Sequence, residues 1–131
     1  MNGMDADFLA VLGKTHIVTV RNTTCDGGGY DETDDYFFLL SRSEVYGGAE
    51  VSGVNEGEPY PCYANYSDLS APSTEPDSNR IKYGNGVAQY LLLRTSYYGD
   101  GNKVHIVGKT GSVGAGNAGS SAWAAPACNI I

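Results

Sequence analysis

The chain has 131 residues, 18 glycines, 41% hydrophobic residues and a formal net charge of -7 at pH 7. This length fits a single domain that buries about two-thirds of its unfolded surface, and the glycines predict an architecture rich in turns and loops. Eight scattered Lys and Arg residues argue against binding to nucleic acid, and no apolar run is long enough for membrane insertion.

The first third of the chain is predicted to form a short helix followed by two strands around a polar loop. The helix covers the segment 5–13, which begins with the N-capping residue Asp5, carries an apolar stripe and closes on glycine. The β-branched segment 15–20 and the apolar segment 36–40 have the composition of strands. The turn-forming residues between these two segments predict a loop.

This loop is strongly acidic. Several converging carboxylates are what a calcium ion requires, but the spacing here lacks the alternating ligands and the closing glutamate of an EF-hand. We interpret the segment as a solvated acidic loop and keep a calcium site as the alternative. The residues concerned are Asp26, Asp31, Glu32, Asp34 and Asp35.

The middle of the chain is predicted to contain one short helix and then a long irregular segment. The segment 41–45 begins with the serine and glutamate of a capping box, and Gly47 and Gly48 are expected to end the helix. The segment 51–85 is rich in Pro, Asn, Ser, Asp and Gly, which predicts irregular structure tied down by aromatic residues. These aromatic residues are Tyr60, Tyr63, Tyr66 and Tyr83.

The last third of the chain is predicted to be mainly strand. The segment 89–95 is the most apolar in this half and indicates a buried strand, with Arg94 satisfying backbone carbonyls or a carboxylate. The segment 103–107 alternates, and the turn residues after it predict a hairpin. The segment 122–131 is predicted to form a final apolar strand.

Residues with catalytic or metal-binding chemistry show no pattern of a known site. Cys25, Cys62 and Cys128 are odd in number and lack metal-ligand spacing, so reduced, buried cysteines are expected, with one disulfide as the alternative. His16 and His105 lie in predicted strands outside any triad motif, which favours structural or surface roles. The sequence therefore predicts no catalytic residue, no metal ligand and no cofactor.

Five ordered segments carry a resemblance to a known family: DYFFLLSRSEV at 35–45, EGEPYPCYA at 56–64, SNRIKY at 78–83, QYLLLRT at 89–95 and AWAAPACNII at 122–131. They resemble the pattern F-L-L-S-x-x-E, W-L-R-[ST]-P and G-V-x-P-A of an uncharacterised domain of gut bacteria and their phages and prophages, the domain of unknown function 6273 type. That family is similar to the C-type lectin-like fold, which formylglycine-generating enzymes share with the variable proteins of diversity-generating retroelements.

The resemblance implies an α+β fold of the irregular, loop-rich C-type lectin-like kind, with short helices and small antiparallel sheets. It covers nearly the whole chain and implies a single domain over residues 1–131. Members of the family usually carry further sequence before the first helix. This leaves open a domain that is truncated at its N-terminal side or that forms one part of a larger architecture.

The resemblance to retroelement-diversified proteins points to the segment 97–123 as a display surface. Tyrosines supply rigid contact area there, and Ser, Asn and Gly supply adaptable hydrogen bonding, while positions such as Val104 and Ile106 serve as scaffold. An ordinary glycine-rich loop region is an equally weighted alternative. The candidate ligand-binding residues are Tyr97, Tyr98, Asp100, Asn102, His105, Val107, Lys109, Ser112, Ser120, Ser121 and Trp123.

These features favour a non-enzymatic ligand-binding display domain of a phage or prophage virion or of a bacterial surface protein, located on the particle, at the cell surface or outside the cell. Its expected partner is a host-cell surface protein or glycan. The alternative is a structural virion or tail subunit, in a homo-oligomer or beside other virion subunits, whose C-terminal surface packs on its neighbours. A degenerate oxidase-type enzyme is a weaker alternative, because formylglycine-generating enzymes use a copper-binding cysteine pair and the three cysteines here show no close pairing.

Overall fold

A computed structural model describes residues 3–47, 54–63 and 77–131 of the chain. Its helices in these ranges are short and comprise α1 (Ala6–Val11), α2 (Arg42–Tyr46) and a 3-10 helix (Ser78–Arg80). Its strands are β1 (Leu12–Gly13), β2 (Thr15–Val20), β3 (Tyr30–Asp35), β4 (Lys82–Gly84), β5 (Val87–Gln89), β6 (Leu91–Ser96), β7 (Lys103–Val107), β8 (Val113–Asn117) and β9 (Asn129–Ile130). Strand β1 pairs with β9, β2 with β3, β4 with β5, and β7 lies between β6 and β8, all antiparallel. The expected α+β composition with small antiparallel sheets is confirmed.

None of the helices in the described ranges has both the length and the apolar character needed to cross a membrane. The centre of the fold is the sheet of β6, β7 and β8. Along β6, Leu91, Leu93 and Thr95 are buried and alternate with half-buried residues, as expected for a strand with one face on a core. The hydrophobic core cluster contains Ile17, Phe38, Leu40, Val45, Tyr46, Tyr63, Leu91, Leu93 and Val107. The predicted strand at 103–107 and the hairpin after it are confirmed, and so is the buried strand β6.

The acidic segment is a strand and not the loop that its composition predicts. Strand β3 pairs with the whole of β2, from Thr15 opposite Asp35 to Val20 opposite Tyr30. The chain turns earlier, at 27–29, where three successive glycines have positive φ. The carboxylates of β3 remain largely exposed, so their hydrated charges do not oppose the strand conformation.

The apolar segment 36–40 is not the strand that its composition predicts. It forms an isolated bridge, in which Phe38 and Ala127 exchange two backbone hydrogen bonds of 3.1 and 2.8 Å. Phe38 and Leu40 still lie in the core, so burial explains the apolar run without a strand ladder. The predicted final strand at 122–131 is also shortened, to β9 and isolated bridges, because the proline within it has no N–H to donate.

Both predicted helices are confirmed, and each begins after its predicted capping residue. The predicted end of the first helix at Gly13 is wrong, because α1 ends at Val11 and Leu12–Gly13 form β1, which pairs with β9. The side chain of Asp5 accepts two backbone N–H bonds from the first turn of α1, but α1 buries none of its residues and its apolar stripe stays largely exposed. Helix α2 begins after Ser41 with both hydrogen bonds of a capping box and ends at Gly47. Gly48, the second predicted terminator, lies outside the described residues.

The segment 51–85 is predicted to be irregular, but its last part begins a hairpin. Strands β4 and β5 are joined by Asn85 and Gly86, which both have positive φ. An Asn-Gly pair is the preferred sequence for such a two-residue turn, so the hairpin has a local signal.

The tyrosines and cysteines of the irregular segments differ in burial. Tyr63 is buried and Tyr60 packs against the core, as expected, whereas Tyr83 is 67% exposed. Tyr66 lies outside the described residues. The cysteines are unpaired by disulfides but are not buried as predicted, since two are exposed and the third is half-buried: Cys25, Cys62 and Cys128.

Candidate functional site

A buried polar network fixes the central sheet to the rest of the fold. We call this network the polar anchor, and it consists of Ser41, Glu44, Glu56, Arg94 and Thr95. The side chains of Arg94 and Glu44 are each only 8% exposed. Charged groups that are this deeply buried are stable only where they are paired and hydrogen bonded. The partners of each group therefore show which segments of the fold the network joins.

Arg94 uses all five of its N–H donors within the protein. Its Nη1 and Nη2 donate to the two carboxylate oxygens of Glu44 at 2.7 and 3.0 Å. The other three bonds go to the backbone carbonyls of Val18, Leu39 and Glu56, so one guanidinium joins three separate segments to β6. The predicted role of Arg94 is confirmed, for carbonyls and for a carboxylate alike.

The two glutamates of the polar anchor have different partners. Glu44 closes the capping box, because its Oε2 accepts the Ser41 N–H at 2.8 Å while Ser41 Oγ accepts the Glu44 N–H at 3.1 Å. Glu56 accepts the Val20 N–H at 2.8 Å and the hydroxyl of Thr95. Glu56 has no local signal in the sequence, because these partners lie 36 and 39 residues away.

Burial raises the pKa of Glu56 above its ordinary value of 4.5. A carboxyl group with a raised pKa in the folded state binds its proton more tightly there than in the unfolded chain. Its contribution to stability is therefore complete below pH 4.5 and is lost as the pH rises through the folded-state pKa.

We expect the free energy of unfolding, measured by urea titration, to fall as the pH rises from 4.5 through the raised pKa that Glu56 has in the folded protein. The variant Glu56→Gln keeps the shape of the side chain but does not titrate, so its stability should lack this fall. Persistence of the same slope in Glu56→Gln would contradict the assignment to Glu56.

Two cavities bounded by described residues lie on opposite faces of the central sheet. The His105 cavity has a volume of about 450 Å³ and is lined by Arg42, Tyr97, Tyr98, His105, Val113, Gly114 and Ala115. The Tyr90 cavity has a volume of about 300 Å³ and is lined by Tyr90, Leu92, Ile106, Ala115, Gly116, Asn117, Ser120, Ser121 and Ala122. Successive residues of a strand point to opposite faces, and the neighbours His105 and Ile106 of β7 accordingly line different cavities.

The turn between β6 and β7 forms the rim of the His105 cavity. Tyr97 and Tyr98 begin this turn and are 37% and 48% exposed. The Tyr97 ring packs 5.2 Å from the His105 ring, centroid to centroid, at an angle of 41°. The buried side chain of Asn22 donates to the carbonyls of Tyr97 and Asp100 at 3.0 and 2.7 Å, which ties this turn to the loop after β2.

Residues 120–122 line the Tyr90 cavity, and Trp123, which follows them, forms a bridge to β6. The Leu92 N–H donates to the Trp123 carbonyl, and the Trp123 N–H donates to the Tyr90 carbonyl, both at 2.9 Å. The Lys109 Nζ lies 5.2 Å from the centroid of the Tyr90 ring. The backbone of Tyr90 is therefore bonded to Trp123, and its ring is contacted by Lys109.

The sequence resemblance to a family rests partly on residues of the polar anchor. The S-x-x-E pattern supplies Ser41 and Glu44, and the L-R-T pattern supplies Arg94 and Thr95. A family model described as "Domain of unknown function (DUF6273)" matches residues 1–131. The chain belongs to this family. No curated protein and no solved structure matches it.

In this DUF6273 domain, the candidate ligand-binding residues are divided between the two faces of the sheet. Tyr97, Tyr98 and His105 line the His105 cavity, whereas Ser120 and Ser121 line the Tyr90 cavity. Two further candidates flank Tyr90 through the contacts given above: Lys109 and Trp123. The candidates therefore form two groups and not one continuous surface.

Three other candidates lie in the turns at the ends of β7. Asp100 accepts the Asn102 N–H at 3.1 Å and pairs with the Lys103 ammonium at 3.0 Å. The hydrogen bond from Asn102, together with Lys103, holds the pKa of Asp100 below its usual range. Ser112 lies in the turn between β7 and β8, with its Oγ 3.1 Å from the hydroxyl of Thr110. These contacts stabilise the two turns.

Along β7, the residues predicted to contact a ligand are the buried ones, and the residues predicted to be scaffold are the more exposed ones. His105 and Val107, predicted as ligand contacts, are only 6% and 1% exposed, whereas the predicted scaffold residues Val104 and Ile106 are half-buried on the other face. A shift of one residue moves every side chain of a strand to the opposite face. Val107 is therefore a core residue, and His105 is a buried wall of its cavity.

Two carboxylates of the β2–β3 hairpin, those of Asp31 and Asp34, are bonded to basic side chains. Arg21 Nε donates to both carboxylate oxygens of Asp31 at 3.0 Å, and His16 Nδ1 lies 3.1 Å from Asp34. Over residues 3–47, 54–63 and 77–131, no group of three or more His, Cys, Asp or Glu side chains is placed to hold a metal ion.

Proposed function

We propose that this DUF6273 domain is a non-enzymatic ligand-binding module with an irregular C-type lectin-like fold, displayed on a phage or prophage particle or on a bacterial surface. Short helices and small antiparallel sheets support this fold. The partner is a host-cell surface protein or glycan. The proposal assigns no chemical step to the domain.

The His105 cavity carries the proposal. Its volume of about 450 Å³ lies within the range of about 300–1,000 Å³ that is typical of ligand pockets. The exposed Tyr97 and Tyr98 supply large, rigid contact area that loses little conformational entropy on binding. The polar anchor fixes β6 from the buried side, and Asn22 ties down the turn in which these tyrosines lie, which favours a preorganised site.

Diversification of the segment 97–123 by a retroelement is part of this proposal. Apart from Val107, the candidates lie in turns or along the cavities, outside the polar anchor and the hydrophobic core cluster, so substitutions there leave both of these intact. The coding DNA tests this part. A reverse transcriptase gene near the locus, with a near-copy of the 3′ coding segment that differs only at adenines, is the expected result. Absence of both would contradict diversification and leave ligand binding to be tested separately.

Replacing Tyr97 and Tyr98 together with alanine should lower the adhesion of the fluorescently labelled domain to intact cells of its bacterial host by about tenfold or more. A few central aromatic side chains carry most of the binding energy of such surfaces. The melting temperature should change little, because both side chains are partly exposed and neither belongs to the hydrophobic core cluster. Adhesion is measured by flow cytometry, and the melting temperature by circular dichroism.

Tyr83→Ala is the matched control for this double variant. Tyr83 is 67% exposed on the β4–β5 hairpin and is not part of the lining of either cavity, so adhesion should persist. An equal loss of adhesion in Tyr83→Ala, or a large fall in melting temperature in the double variant, would contradict the proposal. Burial of Tyr97 and Tyr98 between subunits of a purified oligomer would instead support the structural virion or tail subunit.

A further inference from the structure

Gly114 and Gly116 of β8 both face Ile106 without a side chain, and Gly116 lines the Tyr90 cavity. A Cβ added to Gly114 would lie 3.2 Å from Cγ1 of Ile106, and one added to Gly116 would lie 3.4 Å from its Cγ2. A larger side chain at Gly116 would therefore narrow the cavity. Leu92 and Ile106 line the cavity beside Ala115 and Gly116 of β8.

The walls of the cavity combine one aromatic ring with neutral polar groups. Tyr90 is 45% exposed, and the Lys109 ammonium over its ring holds the ring in place. Ser120, Ser121 and Asn117 are exposed and contribute hydroxyl and amide groups, which both donate and accept hydrogen bonds. None of the side chains lining the cavity carries a formal charge at neutral pH.

This lining selects a neutral ligand that has both an apolar face and hydroxyl groups. A charged ligand would lose hydration in the cavity without meeting an opposite charge among the lining side chains. A purely apolar ligand would cover the serine hydroxyls and the asparagine amide without giving them hydrogen-bond partners. A pyranose ring meets both requirements, because its C–H groups pack on aromatic and aliphatic side chains while its hydroxyls exchange hydrogen bonds with Ser and Asn.

The size of the cavity agrees with such a ligand, since about 300 Å³ is at the lower end of the range for small-molecule pockets. We propose that the Tyr90 cavity is a second binding site, which takes a neutral saccharide unit. The site lies on the face of the sheet opposite the His105 cavity and acts independently of the function proposed for that cavity.

The test uses the full chain and three soluble probes: the methyl glycosides of glucose, galactose and N-acetylglucosamine. At least one probe should bind saturably in an NMR titration. The variant Tyr90→Ala and the double variant Ser120→Ala/Ser121→Ala should each weaken this binding by about tenfold. Their melting temperatures should stay close to that of the wild type, because the three side chains are exposed.

The Tyr97→Ala/Tyr98→Ala variant separates this inference from the proposed function, and it should keep its affinity for the saccharide. A loss of saccharide affinity in that variant, with affinity kept in Tyr90→Ala, would place the saccharide in the His105 cavity and overturn the inference while the proposed function stands. Absence of saturable binding for all three glycosides would also overturn it. So would tighter binding of methyl glucuronide than of methyl glucoside, because that result would assign recognition to the charge of Lys109.

Discussion

Replacing Arg94 with methionine should lower the free energy of unfolding by about 3–5 kcal/mol, the loss expected when one partner of a buried ion pair is removed. Methionine keeps much of the apolar stem of arginine but leaves the Glu44 carboxylate buried without a counter-charge. It also removes the donors from the three backbone carbonyls that Arg94 joins. Urea unfolding followed by the fluorescence of Trp123, the single tryptophan of the chain, measures the loss.

Arg21 provides the matched control, because its guanidinium also pairs with a carboxylate, that of Asp31, but on the exposed surface of the β2–β3 hairpin. Arg21→Met should leave the unfolding curve close to that of the wild type, since exposed ion pairs contribute little. In the double variant Glu44→Gln/Arg94→Met the buried charge is gone, so part of the lost stability should return. An Arg94→Met variant as stable as Arg21→Met would show that the polar anchor does not hold the sheet.

The elements that could be predicted from the sequence have local signals. The capping box of α2 joins Ser41 to Glu44, three residues away, and the turn residues after β7 mark its hairpin with β8. Strand β3 has no such signal, because it is mostly acidic and exposed along nearly its whole length, so it lacks the two-residue period that indicates a half-buried strand. Its conformation comes from pairing with β2 across the glycine turn.

The polar anchor is only partly visible in the sequence. Arg94 and the capping box can be identified from their motifs, but the placement of Glu56 depends on tertiary contacts with Val20 and Thr95. The carboxylate partner of Arg94 could likewise be expected as a chemical type but not as Glu44, which lies 50 residues earlier. Local sequence motifs therefore identify side chains with a capping or ion-pairing role, but the partners of these side chains depend on tertiary structure.

The division of the candidate ligand-binding residues between two faces could not be predicted either, because it depends on which face of the sheet each side chain of β7 occupies. His105 stands between Val104 and Ile106, and both faces of the strand are at least half covered, one by the core and one beside the Tyr90 cavity. Hydrophobicity then does not distinguish the faces, and a polar histidine is easily assigned to the solvent side.

The turn between β7 and β8 should not tolerate a side chain at Gly111, where alanine is expected to lower the free energy of unfolding by about 2–5 kcal/mol. Gly111 has a φ of +83°, which strains any L-residue, and an added Cβ would also collide with the backbone carbonyl of Asp77. This turn cannot move aside easily. The Asp77 N–H donates to the Thr110 carbonyl, and the buried Tyr46 hydroxyl donates to the Gly111 carbonyl, both at 3.1 Å.

Gly99→Ala separates backbone strain from this collision. Gly99 has a φ of +74° in the turn between β6 and β7, but a Cβ there would meet nothing within 4 Å, so alanine should lower stability by only about 1–2 kcal/mol. Equal losses for the two variants in urea unfolding would contradict the contact with Asp77. Because β8 follows the Gly111 turn and borders both cavities, Gly111→Ala should weaken ligand binding at both, whereas Gly99→Ala should affect only the His105 cavity.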